Sequence, residues 1–250
     1  MLPKIWIFDT YSILFLIGIG AAFLLFNIYM NKRGIDKKLK YAYFIVAVVA
    51  ILGGIISAMV FQMIFDALKG EKIRWFAMTF YGGLIGGAVI FILLNQFVLR
   101  KKYLDANLTD LLIVAPAAIT VAHGFGRIGC FCAGCCYGIE TDSIFGVKFP
   151  LLANPRYPTQ LFEAAFLFIL TGVLFYLALK QQSLLTMPIY LLSYGMFRFL
   201  IEFIRGDDRG AYFLSLSPSQ WLSILFVISA IILFIILDKR KKHVNVKLKE

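Results

Sequence analysis

Tyr11-Ser12-Ile13-Leu14-Phe15-Leu16-Ile17-Gly18-Ile19-Gly20-Ala21-Ala22-Phe23-Leu24-Leu25-Phe26-Asn27-Ile28-Tyr29-Met30, followed at once by Asn31-Lys32-Arg33, is the stretch that decides the fold. A helix needs about 20 mostly apolar residues to cross the hydrocarbon core of a bilayer. This run has that length. It is too long for the apolar core of a cleavable leader, shows no small-residue cleavage site, and stops against basic residues, so it reads as a retained span. The whole chain repeats the message. Its 250 residues are 61% hydrophobic and 16% charged, whereas soluble domains are about 45–50% apolar and about 25% charged. The mean hydropathy is +0.84. A water-soluble fold of this size has nowhere to bury that much apolar surface.

Working outward, six more runs qualify: Tyr41–Leu68, Trp75–Leu99, Leu108–Phe125, Leu161–Leu179, Leu185–Ile204 and Gln220–Leu237. The expected fold is therefore all-α and integral to the membrane, with residues 1–250 as one seven-helix transmembrane domain. There is no internal repeat and no low-complexity stretch. Basic residues set the orientation. Lys32, Arg33, Lys37, Lys38 and Lys40 follow the first run, Arg100, Lys101 and Lys102 the third, Lys180 the fifth, and Lys239, Arg240, Lys241, Lys242, Lys247 and Lys249 the seventh. These are fifteen of the 25 Lys and Arg residues, and seven crossings put all of them on one side. The positive-inside rule makes that side cytoplasmic, with the N-terminus out and the C-terminus in. The same rule accounts for the net charge of +11 without nucleic acid as a partner. Segments 69–74, 127–160 and 205–219 then face outward, and 127–160 is long enough for a small extracytoplasmic elaboration. The glycines of Tyr81-Gly82-Gly83-Leu84-Ile85-Gly86-Gly87 permit either close helix contact or a local break.

Ionisable groups are expensive inside a membrane and mark sites or pairs. Arg198, Glu202 and Arg205 are spaced i, i+4, i+7, one helical face, with Tyr194 a turn earlier. Arg198–Glu202 alone reads as an ion pair fastening helices. With Arg205 added, two guanidiniums face one carboxylate, and the surplus positive charge suits a phosphate, which arginine grips with two N–H groups at once. Arg127 stands in Gly126-Arg127-Ile128-Gly129, where Gly126 and Gly129 let a ligand or another backbone approach, unless the arginine simply reaches for the interface. Pro158-Thr159 opens the fifth run with Thr159 as a cap. Gln160 and Glu163 just after it exceed what a helix start needs. All these groups gather near the outer face.

The four cysteines, Cys130, Cys132, Cys135 and Cys136, lie within seven residues, so no framework of disulfides staples the fold. Three readings stay open. Cys132–Cys135 has the C-x-x-C separation of a metal site, with His123 nearby. A disulfide within the cluster suits an outward face. Alternatively the thiols line the pocket, one of them as a thiolate favoured by Arg127. His123, in turn, is either a packed interfacial residue or a general base.

Four blocks in order, Tyr81-Gly82-Gly83-Leu84-Ile85-Gly86, Gly126-Arg127-Ile128-Gly129, Tyr157-Pro158-Thr159-Gln160-Leu161-Phe162-Glu163 and Tyr194-Gly195-Met196-Phe197-Arg198-Phe199-Leu200-Ile201-Glu202-Phe203, resemble the prolipoprotein diacylglyceryl transferase family. The similarity covers nearly the whole chain. It implies a multi-pass enzyme of the bacterial cytoplasmic (inner) membrane with its active site toward the extracytoplasmic face. The implied reaction moves the diacylglyceryl group of phosphatidylglycerol to a lipoprotein-precursor cysteine thiol and releases glycerol phosphate. By this resemblance Arg127 and Arg198 hold the head group, Glu202 orients the arginines, and Tyr194 and Gly138 match the family's tyrosine and the glycine closing its central block. Arg205 joins the two arginines at the phosphate, and Tyr81, Tyr194, Gln160 and Glu163 position donor or acceptor. No cofactor and no metal is implied. The chain departs from the family pattern where Tyr81 replaces a histidine, Cys130 an asparagine and Cys135 a glutamate. A histidine accepts a thiol proton at neutral pH and an ordinary tyrosine does not. That leaves His123 or a cluster thiolate as the base. It also raises two other readings: a paralogue using a phospholipid donor with a glycan or small polar acceptor, and a membrane thiol–disulfide or metal-handling protein.

Overall fold

The computed structural model describes residues 4–5, 8–68, 70, 72–73, 75, 77, 79–104, 106–150, 152–181, 183–207 and 214–247. Apart from a short antiparallel pairing of Lys4–Ile5 with Phe8–Asp9 and isolated bridges involving Gly138, Glu140, Val147, Arg156 and Arg205, the secondary structure of the described residues is helical. The helices are α1 (Thr10–Lys32), α2 (Lys37–Leu68), α3 (Phe80–Leu94), α4 (Leu108–Ala133), α5 (Thr159–Gln181), α6 (Thr186–Ile201) and α7 (Pro218–Lys247). Among the described residues six of them are long and apolar enough to cross a membrane: α1, α2, α4, α5, α6 with its extension to Ile204, and α7 over Pro218–Lys239. The expected span at Trp75–Leu99 differs. Its α-helix starts only at Phe80, and after Leu94 it widens into a π turn, Asn95–Leu99, before Arg100–Lys102. Many large apolar side chains stay on the outside, Ile169 at 70% and Leu200 at 63% exposure among them, as helices solvated by lipid require.

The chain forms two compact units, Met30–Leu108 and the pair of segments Met1–Tyr29 and Thr109–Glu250. Within Met30–Leu108, Asp36 caps α2 by accepting the Lys38 N–H at 2.8 Å, an anionic group at the positive end of a helix. The glycine run is a contact face and leaves α3 unbroken. A Cβ on Gly54 would lie 2.9 Å from the Gly83 carbonyl oxygen, and one on Gly87 3.2 Å from that of Ala50. Ser57 donates to the Gly82 carbonyl at 2.9 Å. Lipid supplies no hydrophobic drive between helices, so backbones approach where side chains are smallest. Tyr81 lies in the first turn of α3, and its side chain lies outside the described residues.

In the other unit, Asp9 caps α1 through the Ser12 N–H at 3.1 Å. Ala117, Leu167, Leu170, Leu174, Tyr190 and Tyr194 form the core where α4, α5 and α6 meet. Hydroxyls tie those helices together: Thr171 donates to Thr120 at 2.8 Å, and Thr186 to the Ile113 carbonyl at 2.9 Å. The loop from α4 to α5 is the small elaboration that its length suggests. It is pinned by Arg156, which pairs with Glu140 at 2.8 Å and covers the Tyr137 ring at 5.2 Å.

Candidate active site

Glu163 sits one turn into α5 and is almost fully buried, at 1% exposure. An ionised carboxylate at that depth needs partners on every side, and the neighbouring helices supply them. Arg127 of α4 brings its Nε to 2.9 Å from Oε2, and an Arg205 nitrogen stands 3.9 Å from the same oxygen. Tyr194 of α6 donates its hydroxyl to Oε1 at 2.9 Å. His123 of α4 places Nε2 3.6 Å from Oε1 and meets the Tyr194 ring edge-on at 5.4 Å. His123 and Arg127 are four residues apart, hence on one face of α4. The fixed charge of Arg198 also acts on Glu163, after that of Arg127.

A second centre lies along α6. Arg198 Nη1 is 2.8 Å from Glu202 Oε2, the i, i+4 pair read from the sequence. Ser217 donates to the other Glu202 oxygen at 2.8 Å, and Arg198 donates to Ser219 Oγ at 3.1 Å. Arg205 breaks from the expected helical face. After Ile201 the helix tightens into a 3-10 turn, Glu202–Ile204, and Arg205 is extended at φ −78°, ψ 140°. Its guanidinium therefore swings to Glu163 and takes Asp207 with two N–H groups, at 3.0 and 2.8 Å. Burial works against the charged guanidinium, but the Asp207 carboxylate outweighs it and raises the Arg205 pKa above the ordinary arginine range.

Asp207 changes the charge balance. Three guanidiniums (Arg127, Arg198, Arg205) meet three carboxylates (Glu163, Glu202, Asp207) among the described residues, so the surplus positive charge expected from α6 spacing is absent. The surplus lies instead in donors, since each guanidinium carries five N–H groups and a carboxylate shares only some of them. Among the described residues, Arg127 Nη2 is buried with no hydrogen-bond acceptor. A buried unmatched donor costs about 1–3 kcal/mol or more, and an incoming anion removes that cost.

The loop between α4 and α5 is threaded behind these residues. Thr159 does not cap α5; its hydroxyl donates to the Cys136 carbonyl at 2.8 Å, while the Pro158 carbonyl takes the Leu161 and Phe162 N–H groups. The Gln160 side-chain amide donates to the Cys135 carbonyl. Gly138 bonds its N–H to the Tyr157 carbonyl at 2.8 Å and pairs antiparallel with Arg205. A Cβ there would stand 2.7 Å from the Ile204 oxygen and 2.8 Å from Tyr157 Cβ. Gly138→Ala is accordingly expected to cost roughly 1–3 kcal/mol and to lower turnover by displacing Arg205. Equal thermal stability and activity for this variant in detergent would contradict that contact. Gly126 differs: a Cβ on it meets nothing within 4 Å among the described residues.

The four cysteines are free thiols. Cys130, Cys135 and Cys136 gather with their sulfurs within 4.8 Å of one another, and Arg127 Nη1 reaches Cys130 Sγ at 3.8 Å. Cys132 is outside this group, so the C-x-x-C spacing was the wrong guide to it. Residues 130 and 132 lie about 200° apart on a helix. Sequence reading passed over Ser217, Ser219 and Asp207.

The profile of the prolipoprotein diacylglyceryl transferase family matches residues 4–236. A Clostridium perfringens protein named phosphatidylglycerol–prolipoprotein diacylglyceryl transferase 2 is 37% identical over 94% of this chain and 93% of its own. Proteins named phosphatidylglycerol–prolipoprotein diacylglyceryl transferase from Clostridium tetani and Geobacter sulfurreducens are 33% and 31% identical. They cover 93% and 94% of this chain, and 94% and 92% of their own.

Proposed function

The chain belongs to the prolipoprotein diacylglyceryl transferase family, and on that premise we propose how its residues move the diacylglyceryl group of phosphatidylglycerol onto the cysteine thiol of a lipoprotein precursor. Phosphatidylglycerol brings a phosphate diester. The acceptor thiolate attacks the glyceryl carbon bonded to the phosphate oxygen, a carbon–sulfur bond forms, and the carbon–oxygen bond breaks with its electron pair on the departing glycerol phosphate. One more negative charge thus develops on phosphate. Donors already fixed in a dry site stabilise such charge without reorganising. Arg127 does so through Nη2, assisted by Arg198 and Arg205. Glu163, Glu202 and Asp207 hold these three arginines in place, and Tyr194 and Gln160 shape the pocket wall.

The thiol proton goes to His123. Its ring is held by the Glu163 carboxylate on one side and is 28% exposed, so an acceptor can reach it. Glu163 then steadies the imidazolium. His123→Asn is expected to lower kcat by about 10²–10⁴-fold, the usual worth of a positioned base. Unchanged kcat at neutral pH would move the base to the cysteine cluster.

The membrane frame carried with this reading has seven crossings, with α3 and its continuation through Lys102 as the third. The N-terminus is outside, the C-terminus inside, and residues 1–250 make one domain in the bacterial inner membrane, the site opening outward. The alternation of Lys and Arg between helices supports it. The observation that carries the mechanism is the buried, unmatched Arg127 Nη2 beside a buried carboxylate. The test incubates the chain in lipid with diacylglycerol-labelled phosphatidylglycerol and a lipoprotein precursor. Label on the precursor's cysteine, with glycerol phosphate released, is the expected result. Label on a glycan or small molecule alone would overturn the acceptor assignment.

A further inference from the structure

Cys130, Cys135 and Cys136 are more than neighbours in sequence. Cys130 stands on the last turns of α4. Gly134, at φ 73°, ends the helix, and the Cys135 N–H returns to the Cys130 carbonyl at 3.1 Å. Cys136 itself is left-handed at φ 63°, a conformation that few non-glycine residues adopt. That turn folds the chain back so that three sulfurs converge within 4.8 Å. It is held from α5, where Thr159 and Gln160 bind the carbonyls of Cys136 and Cys135. The framework around the sulfurs is therefore fixed by groups other than the sulfurs themselves.

Sulfur binds metals as the thiolate, and the Arg127 guanidinium stands beside the cluster, its Nη1 3.8 Å from Cys130 Sγ. Cys135 is exposed, so the cluster has an open side. Zinc–sulfur bonds of about 2.3 Å place sulfurs about 3.8 Å apart in a tetrahedral site, which the observed spacing reaches by a contraction of about 1 Å. Soft sulfur selects Zn2+ or Cu+ over Mg2+ and Ca2+, which take oxygen.

We propose that Cys130, Cys135 and Cys136 form a site for one thiophilic d10 cation, Zn2+ or Cu+, beside the arginine–carboxylate centre. Three sulfurs suffice for trigonal Cu+, whereas Zn2+ adds a water on the Cys135 side. Each thiol that is still protonated passes its proton to solvent on loading, and no electron is transferred. Three thiolates with Zn2+ carry one net negative charge, and with Cu+ two. Arg127 Nη1, 3.8 Å from Cys130 Sγ, is the donor nearest that charge among the described residues. The transfer reaction itself needs no step through the cation.

The full chain in lipid nanodiscs, reduced and stripped of metal, is titrated with Zn2+ alone and, under anaerobic conditions, with Cu+ alone. Metal retained per chain after gel filtration is measured, together with proton release. One equivalent retained in at least one arm is expected, with the tighter arm identifying the cation. Cys135→Ser and Cys136→Ser are expected to lose it, and Cys132→Ser to keep it. Retention of neither cation, or the same loss in Cys132→Ser as in Cys136→Ser, overturns the site. Cys136 occupies a left-handed turn, so Cys135→Ser, at the exposed position, decides the outcome where the Cys136→Ser variant fails to fold.

Discussion

Replacing Arg127 with alanine is expected to lower diacylglyceryl transfer by about 10²–10³-fold, the usual cost of losing one preorganised donor to a developing anion. Arg127 does two things at once. Its Nε neutralises Glu163 at 2.9 Å, and its Nη2 is buried with no acceptor among the described residues. The effect should fall on kcat more than on KM, because the interaction strengthens as charge reaches the phosphate. Arg127→Lys separates charge from geometry. It keeps a cation beside Glu163 and preserves the fold, yet it lacks the planar fork, so its turnover should also drop well below that of the unaltered chain. Arg198→Ala is expected to act in the same direction through Glu202 and Ser219. Full turnover by Arg127→Ala, measured with labelled phosphatidylglycerol, would end the phosphate-clamp mechanism.

Glu163→Gln carries the second large effect, and it falls on stability as well as rate. Four groups converge on this carboxylate: Arg127, Arg205, His123 and Tyr194. The amide keeps the shape and can still accept the Tyr194 hydroxyl, but it leaves the Arg127 charge buried without a counter-ion. Removing one partner of a buried pair costs about 3–5 kcal/mol. Arg205 retains Asp207, which places the expected loss near the lower end of that range. A combined Glu163→Gln, Arg127→Met variant should recover much of the stability while staying inactive, since it deletes the stranded charge along with the catalytic one. Heat-induced loss of monodispersity in detergent is the measurement. A Glu163→Gln chain as heat-resistant as the parent would show that the carboxylate is not the hub of the site.

The sequence by itself determined that this chain lives in a membrane, roughly where its helices run, and that Arg127, Glu163, Arg198 and Glu202 are out of place in an apolar span. These are local properties. Apolar length, the cost of a charge in hydrocarbon, and the i, i+4 spacing of Arg198 and Glu202 need no knowledge of distant residues. The choice between break and contact at the Gly82–Gly87 run was not local, because it depended on small residues at Ala50, Gly54 and Ser57 on α2.

Only the tertiary structure decided who pairs with whom. Along α6, spacing assigned Arg205 to Glu202, but the helix tightens into a 3-10 turn just before it, and one change of backbone direction sends the side chain to Glu163 and Asp207 instead. Thr159 looked like a cap and serves as a tether for the Cys136 carbonyl, because the loop that it binds arrives from 23 residues upstream. Among the cysteines, a two-ended spacing rule picked Cys132, whereas a left-handed turn after Gly134 gathered Cys130, Cys135 and Cys136. The physical reason is common to all three. A charge or hydroxyl within an apolar span announces that it requires a partner, but the partner's identity is fixed by how helices and loops distant in sequence come to pack, and that information is held in no single stretch.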